Sequence, residues 1–147
     1  MNIRANATFR AGDFARLEAR ILPKIIRAVT GGTEAVLQNS LQNVPVDSGE
    51  LASSAGQEIE HKGQKVVGSV SYTASHASFN EFGTGIIGAG TYPYPLPQEG
   101  VPYTGSWIYD YKRQNWRGMV ATPYLRPALD QSHGAILDSF RAEGFQV

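Results

Sequence analysis

Apolar residues at positions 14, 17, 21, 25 and 29 (Phe14, Leu17, Ile21, Ile25, Val29) recur at steps of three and four. That spacing places one apolar stripe on one face of a helix and commits the first third of the chain to an amphipathic helix. Pro23 lies inside the stripe and is expected to kink or restart the helix, because its ring removes a backbone donor. Gly31-Gly32 interrupts again, and Thr33 is placed to cap a second segment carrying Val36, Leu37 and Leu41. The sequence therefore predicts one long, broken helix over residues 13–43. Before it, Ile3, Ala5, Ala7 and Phe9 alternate with polar residues, the period-two pattern of a short strand or extended arm.

The helix should end at Pro45-Val46-Asp47-Ser48-Gly49-Glu50-Leu51. Asp47 followed by Glu50 has the spacing of a capping box, and Val46 with Leu51 the spacing of a hydrophobic staple. Two strands follow, residues 55–61 and 64–73, around a tip at Lys62-Gly63. Residues 75–82 read as a short helix stopped by Gly83. Residues 119–121 read as another strand, and residues 124–143 as a closing helix with Pro127 tolerated in its first turn. The predicted fold class is α+β: an antiparallel sheet of three to five strands against the long N-terminal helix and the C-terminal helix. A chain of 147 residues fits one domain, 1–147, with residues 83–118 as an extended loop insertion.

The insertion holds Pro93, Pro95, Pro97 and Pro102 together with Tyr92, Tyr94, Tyr103, Trp107, Tyr109, Tyr111 and Trp116. So many aromatics on one segment predict that it orders on the body or on a neighbour. Lys112, Arg113 and Arg117 interleave with them, a pattern that serves either base stacking or a protein interface. The net charge is zero, which favours the protein interface. The charge is unevenly placed. Residues 1–30 carry six basic and two acidic groups, +4, and the rest seven basic and eleven acidic, −4. A basic end and an acidic body suit association between like subunits.

The chain has no cysteine, so disulfides, thiolate metal sites and cysteine nucleophiles are excluded. Its start lacks an apolar signal-peptide core, and no apolar run approaches the roughly 18 residues of a membrane span. Synthesis and retention in a cytoplasm-like compartment, without a membrane partner, are expected. Gly83-Thr84-Gly85-Ile86-Ile87-Gly88 satisfies G-x-G-x-x-G, but Thr91-Tyr92-Pro93-Tyr94-Pro95 follows where a dinucleotide site needs a helix, so a turn is expected. His61, His76 and His133 match no metal spacing. His76 and Glu81 are five residues apart, but no oriented nucleophile accompanies them. Glu81 reads as a structural carboxylate that accepts backbone N–H bonds or pairs with a neighbouring subunit. No catalytic, cofactor-binding or metal residue is expected.

Three stretches in this order carry a likeness: Pro45-Val46-Asp47-Ser48-Gly49-Glu50-Leu51, then Asn80-Glu81-Phe82-Gly83-Thr84, then Thr122-Pro123-Tyr124-Leu125-Arg126-Pro127-Ala128. With the helical pattern before them, they resemble the tail-completion, or head–tail joining, proteins of long-tailed phages. Pro45, Asp47, Ser48, Gly49, Leu51, Glu81, Phe82, Gly83, Thr84, Pro123, Leu125, Pro127 and Ala128 are the positions that match, and they are expected to be structural. Two departures stand out: Ala77-Ser78-Phe79 precedes Asn80-Glu81, where the family tends to have a Tyr-Ala-x-x-Val type of run, and the insertion is long. The resemblance implies a virion protein at the head–tail junction, assembled in the host cytoplasm as a ring, most simply six-fold. Such a ring completes the tail tube and meets the neck or connector, with DNA passing through its lumen unread. A nucleic-acid-binding module or small hydrolase of a host or prophage is the alternative.

Overall fold

The computed structural model describes residues 11–45, 49–63, 65–88, 90–95 and 118–147. The elements run α1 (Ala11–Asn43), α2 (Glu50–Ser53), β1 (Ala55–Lys62), β2 (Lys65–Tyr72), α3 (Ala77–Phe82), α4 (Gly85–Gly88), β3 (Gly118–Met119), α5 (Leu125–Gln131) and α6 (His133–Ala142). The class is α+β, as the patterning predicts.

The long helix is not broken. It runs 33 residues through Pro23 and through Gly31-Gly32. Pro23 and Ala19, whose carbonyl loses its donor, both lie on the exposed side, where water can take the place of the missing bond. The two glycines serve packing. A Cβ at Gly31 would stand 3.0 Å from the Ser139 hydroxyl, and one at Gly32 3.3 Å from Ile136 Cγ1, so their absence seats α6 close against α1. Thr33 does not cap; its hydroxyl donates to the Val29 carbonyl within the same helix (2.7 Å).

The described residues hold a two-stranded antiparallel sheet, not three to five strands. Ala55 pairs with Tyr72 and Lys62 with Lys65, around a tip where Gly63 takes φ +59°. Two strands alone are marginal in water, and β2 is held by its seat on α1. A Cβ at Gly68 would collide with the Thr33 hydroxyl and lie 2.9 Å from Val29 Cγ1. The strand expected at 119–121 is two residues long and bridges Thr84 and Gly85 instead of joining the hairpin. The strand expected at 3–9 lies outside the described residues.

The helix α2 begins later than the capping box requires. Its N-cap is Gly49 at φ +74°, with no side-chain cap bond. Asp47, Ser48 and Val46 lie outside the described residues. The closing helix divides into α5 and α6 at Ser132, which is fully buried and whose hydroxyl donates back to the Ala128 carbonyl (2.7 Å). Such back-bonding bends helices. At the far end Phe145 N–H reaches the Phe140 carbonyl (3.1 Å) and Gly144 N–H the Arg141 carbonyl (2.9 Å), with Gly144 at φ +90°. Together they form a Schellman stop, packed by the Phe140–Phe145 ring contact. Arg27 grips Glu143 with two bonds (2.9 and 2.7 Å), tying this end of α6 to α1.

Candidate functional site

The core gathers the three sequence stretches. Val44, just before the first, and Leu51, its last residue, pack with Ala77, one turn before Glu81, and with Tyr124 of the third. Tyr72 stands edge-on to Tyr124 at 4.8 Å, and its hydroxyl meets the buried Ser40 hydroxyl at 2.7 Å. The Tyr124 hydroxyl donates to the Ala77 carbonyl (3.1 Å). Burial raises the Tyr124 pKa well above the ordinary tyrosine value, with the Glu81 charge adding to the effect.

Glu81 is 5% exposed and sits at the centre of this joint. Its Oε2 accepts the backbone N–H of Tyr124 (2.8 Å) and Leu125 (2.9 Å), and its Oε1 accepts that of Arg126 (3.1 Å). A helix leaves its first backbone donors without intrahelical partners. In α5 those are Tyr124 at the N-cap, Leu125, Arg126 and residue 127, which is a proline and has no donor. Glu81 therefore satisfies every free N–H at that helix start, from a residue 43 to 45 positions earlier in the chain. Its negative charge also lies at the positive end of the helix. The Tyr92 hydroxyl approaches Oε1 at 3.5 Å. Burial first, and Glu81 second, push the Tyr92 pKa up to about 12.

The glycines of the second stretch admit the returning chain. Gly83 is the C-cap of α3 at φ +75°, and a Cβ there would lie 2.8 Å from Ala121 N. A Cβ at Gly88 would collide with the Met119 carbonyl. Thr122 N–H donates to the Asn80 carbonyl (2.7 Å), and Ala121 N–H to the Thr91 hydroxyl (2.8 Å). The G-x-G-x-x-G string is thus a seat for residues 118–122. The Thr84 hydroxyl is buried with no partner among the described residues.

His76 is the N-cap residue of α3, and both Glu81 oxygens are engaged by the start of α5. Among the described residues no group of His, Asp and Glu could hold a metal ion. None of their helices is long and apolar enough to cross a membrane. Of the aromatic candidates, Tyr92 and Tyr94 pack within the chain: Phe82–Tyr92 at 5.0 Å and Tyr92–Tyr94 at 5.4 Å, with Arg126 5.7 Å from the Tyr94 ring centre. Tyr103, Trp107, Tyr109, Tyr111 and Trp116 lie outside the described residues.

Beside the joint runs an apolar groove of about 780 Å³. Val29 and Val36 of α1 form its floor, Val70 and Tyr72 of β2 one wall, and Leu129, Ile136 and Phe140 the other. A small-molecule site needs a few free polar groups to orient its ligand. Here Glu81 is spent on backbone donors, and Arg126 is paired with Asp130 (3.4 Å). The lining suits apolar side chains. Sequence reading does not find this groove, because its lining comes from segments far apart in the chain.

Residues 12–83 match the family described as bacteriophage HK97-gp10, putative tail-component. Over those residues, just under half of its length, the chain is similar to that family. The match runs from the first turn of α1 through the hairpin to Gly83, so it contains Glu81 but not the helix start that Glu81 holds. No curated protein and no solved structure matches the chain. That family is described as a putative tail component, and the likeness supports a structural part in a phage tail for this chain.

Proposed function

We propose that this chain is a virion protein of the head–tail junction that assembles as a ring, most simply six-fold. The ring completes the tail tube, docks it to the neck or connector proteins, and lets DNA pass through its lumen without reading it. The observation that carries this reading is the use made of Glu81. The one buried carboxylate among the described residues is consumed in joining two parts of the chain, which is the work of a structural element and not of a turnover site. The family match supports it, as does the division of charge between a basic start and an acidic remainder. In this reading the aromatic segment from Tyr103 to Trp116 meets a neighbouring subunit or a tail or neck partner, since Tyr and Trp anchor interfaces. Native mass spectrometry and electron microscopy of the purified chain test the reading. A closed multimeric ring is the expected result. A monomer with hydrolase activity, or tight salt-sensitive DNA binding, would overturn it in favour of an enzyme or a nucleic-acid module.

A further inference from the structure

The hairpin leaves an edge open on β1. Thr73 N–H reaches the Ser54 carbonyl (3.2 Å), and the register carries that alternation to Gly56, Glu58, Glu60 and Lys62, whose backbone groups therefore turn to β2. Those of Gln57, Ile59 and His61 turn the other way, and no described residue takes them up. Such a row of unpaired N–H and C=O groups is a template for a further strand. The two faces of the edge differ. Ile59, opposite Gly68, lies on the side turned to α1 and is half-buried. Glu58 lies on the outer side, exposed and without an ion-pair partner among the described residues.

One segment of the chain has the matching pattern. Residues 2–9 lie outside the described residues, and in their sequence Ile3, Ala5, Ala7 and Phe9 alternate with Asn2, Arg4, Asn6 and Thr8. A strand of that pattern is as long as the 8 residues of β1, and it sets an apolar side beside Ile59 and Arg4 on the side of Glu58. Its own subunit is a poor place for it. Gly68 lies on Val29 and Thr33, and Tyr72 reaches Ser40, so the hairpin runs along α1 with its tip toward the helix start. Lys65 stands about 10 Å before Gly68, which brings the tip level with about Lys24. From there α1 continues to Ala11, roughly 20 Å further. At about 3.3 Å per residue, the segment spends about six residues coming back to the tip and has about three left for β1.

We propose that residues 2–9 of one copy add as a strand to the free edge of β1 in the next. Main-chain bonds to Gln57, Ile59 and His61 hold the strand, and Arg4 against Glu58 sets which side faces out. Donor and acceptor lie at different places on the chain, so the contact is head-to-tail, the kind that closes into a ring or runs into a filament. This exchange rests on the ring reading and gives the ring a contact between neighbours.

The chain has no cysteine, so single introduced thiols report the contact. Full-length Asn6→Cys and Gly56→Cys proteins are mixed and treated with a short bismaleimide; a Cβ at Gly56 meets nothing within 4 Å. Cross-linked dimers containing one of each are expected. Gln57→Pro removes an outward N–H and leaves the bonds to β2 in place. A variant with Ala5→Pro and Asn6→Pro together loses two successive N–H groups, one of which must face β1. Each should weaken self-association about tenfold or more, with the circular dichroism of the chain unchanged. Arg4→Glu and Glu58→Arg should each weaken it alone and restore it when combined. A ring by native mass with no mixed cross-link, and with both proline variants assembling like the parent, would overturn the exchange and leave the ring reading standing. Cross-links confined within single chains of an Asn6→Cys, Gly56→Cys double variant would do the same. A chain that stays monomeric at all concentrations would overturn both.

Discussion

Removing the Glu81 carboxylate tests the joint directly. Glu81→Ala strips the acceptor from three backbone donors at 2.8, 2.9 and 3.1 Å, around a residue that is 5% exposed. A hydrogen bond to a charged group contributes about 1.5–3 kcal/mol, and a buried donor left unmade costs about 1–3 kcal/mol. The three bonds share one carboxylate and do not add. Arg126 stands at an exposed position, so water can reach its N–H, while Tyr124 is nearly fully buried. The expected loss is therefore about 3–5 kcal/mol, a large part of the 5–15 kcal/mol of an ordinary domain. Glu81→Gln keeps one carbonyl acceptor and turns an NH2 group toward donors, so it should lose about half as much. Urea denaturation of parent, Gln and Ala proteins, followed by circular dichroism with slopes compared, should rank them in that order. An Ala variant with an unshifted midpoint, or a Gln variant less stable than Ala, would refute the reasoning.

Gly68→Ala should cost about 1–3 kcal/mol through collision with Thr33, and adding Thr33→Ala should recover part of it; thermal melts of the single and double variants check the coupling. Tyr72→Phe should cost about 0.5–1.5 kcal/mol by losing the bond to Ser40, measured by the same denaturation, with Ser40→Ala not additive to it. The Tyr92 pKa is raised from 10.0 to about 12, so folding favours its neutral form. That contribution is complete below pH 10 and is lost as pH rises from 10 through about 12. Tyr92→Phe should therefore flatten the fall in stability over that window, and tyrosinate absorbance should lose one late-titrating group.

Much of the backbone plan is legible in local pattern. The stripe from Phe14 to Val29 gives α1, the alternation of Val66, Gly68, Val70 and Tyr72 gives the face of β2 turned to α1, and Gly83 and Gly144 stop helices where they stand. Where local reading fails, a distant partner decides. Gly31-Gly32 looks like a break until Ser139 and Ile136 are brought against it, and Ser132 divides a helix that its periodicity joins. Asp47 and Glu50 have the spacing of a cap, yet α2 starts from Gly49 in a left-handed conformation. The role of Glu81 is half legible. A lone acid before Phe-Gly suggests a carboxylate that binds backbone, but nothing near it names Tyr124, Leu125 and Arg126 as the donors. Strand number was the least legible feature, because pairing beyond a hairpin depends on segments far apart in sequence.

The junction of the Gly83–Gly88 turn with residues 118–122 has a consequence for the segment that it carries. Thr84 and Gly85 pair with Met119 and Gly118, and Thr91 holds Ala121, so the chain leaving at Pro95 and returning at Gly118 is clasped at its root. Once a root is fixed, the length carried above it is thermodynamically cheap: doubling a flexible connection costs only about 0.6 kcal/mol. The clasp works as an exchangeable mount. A change in the number of residues carried between Pro95 and Gly118 should therefore reach the carboxylate joint and the helices beneath with little added strain.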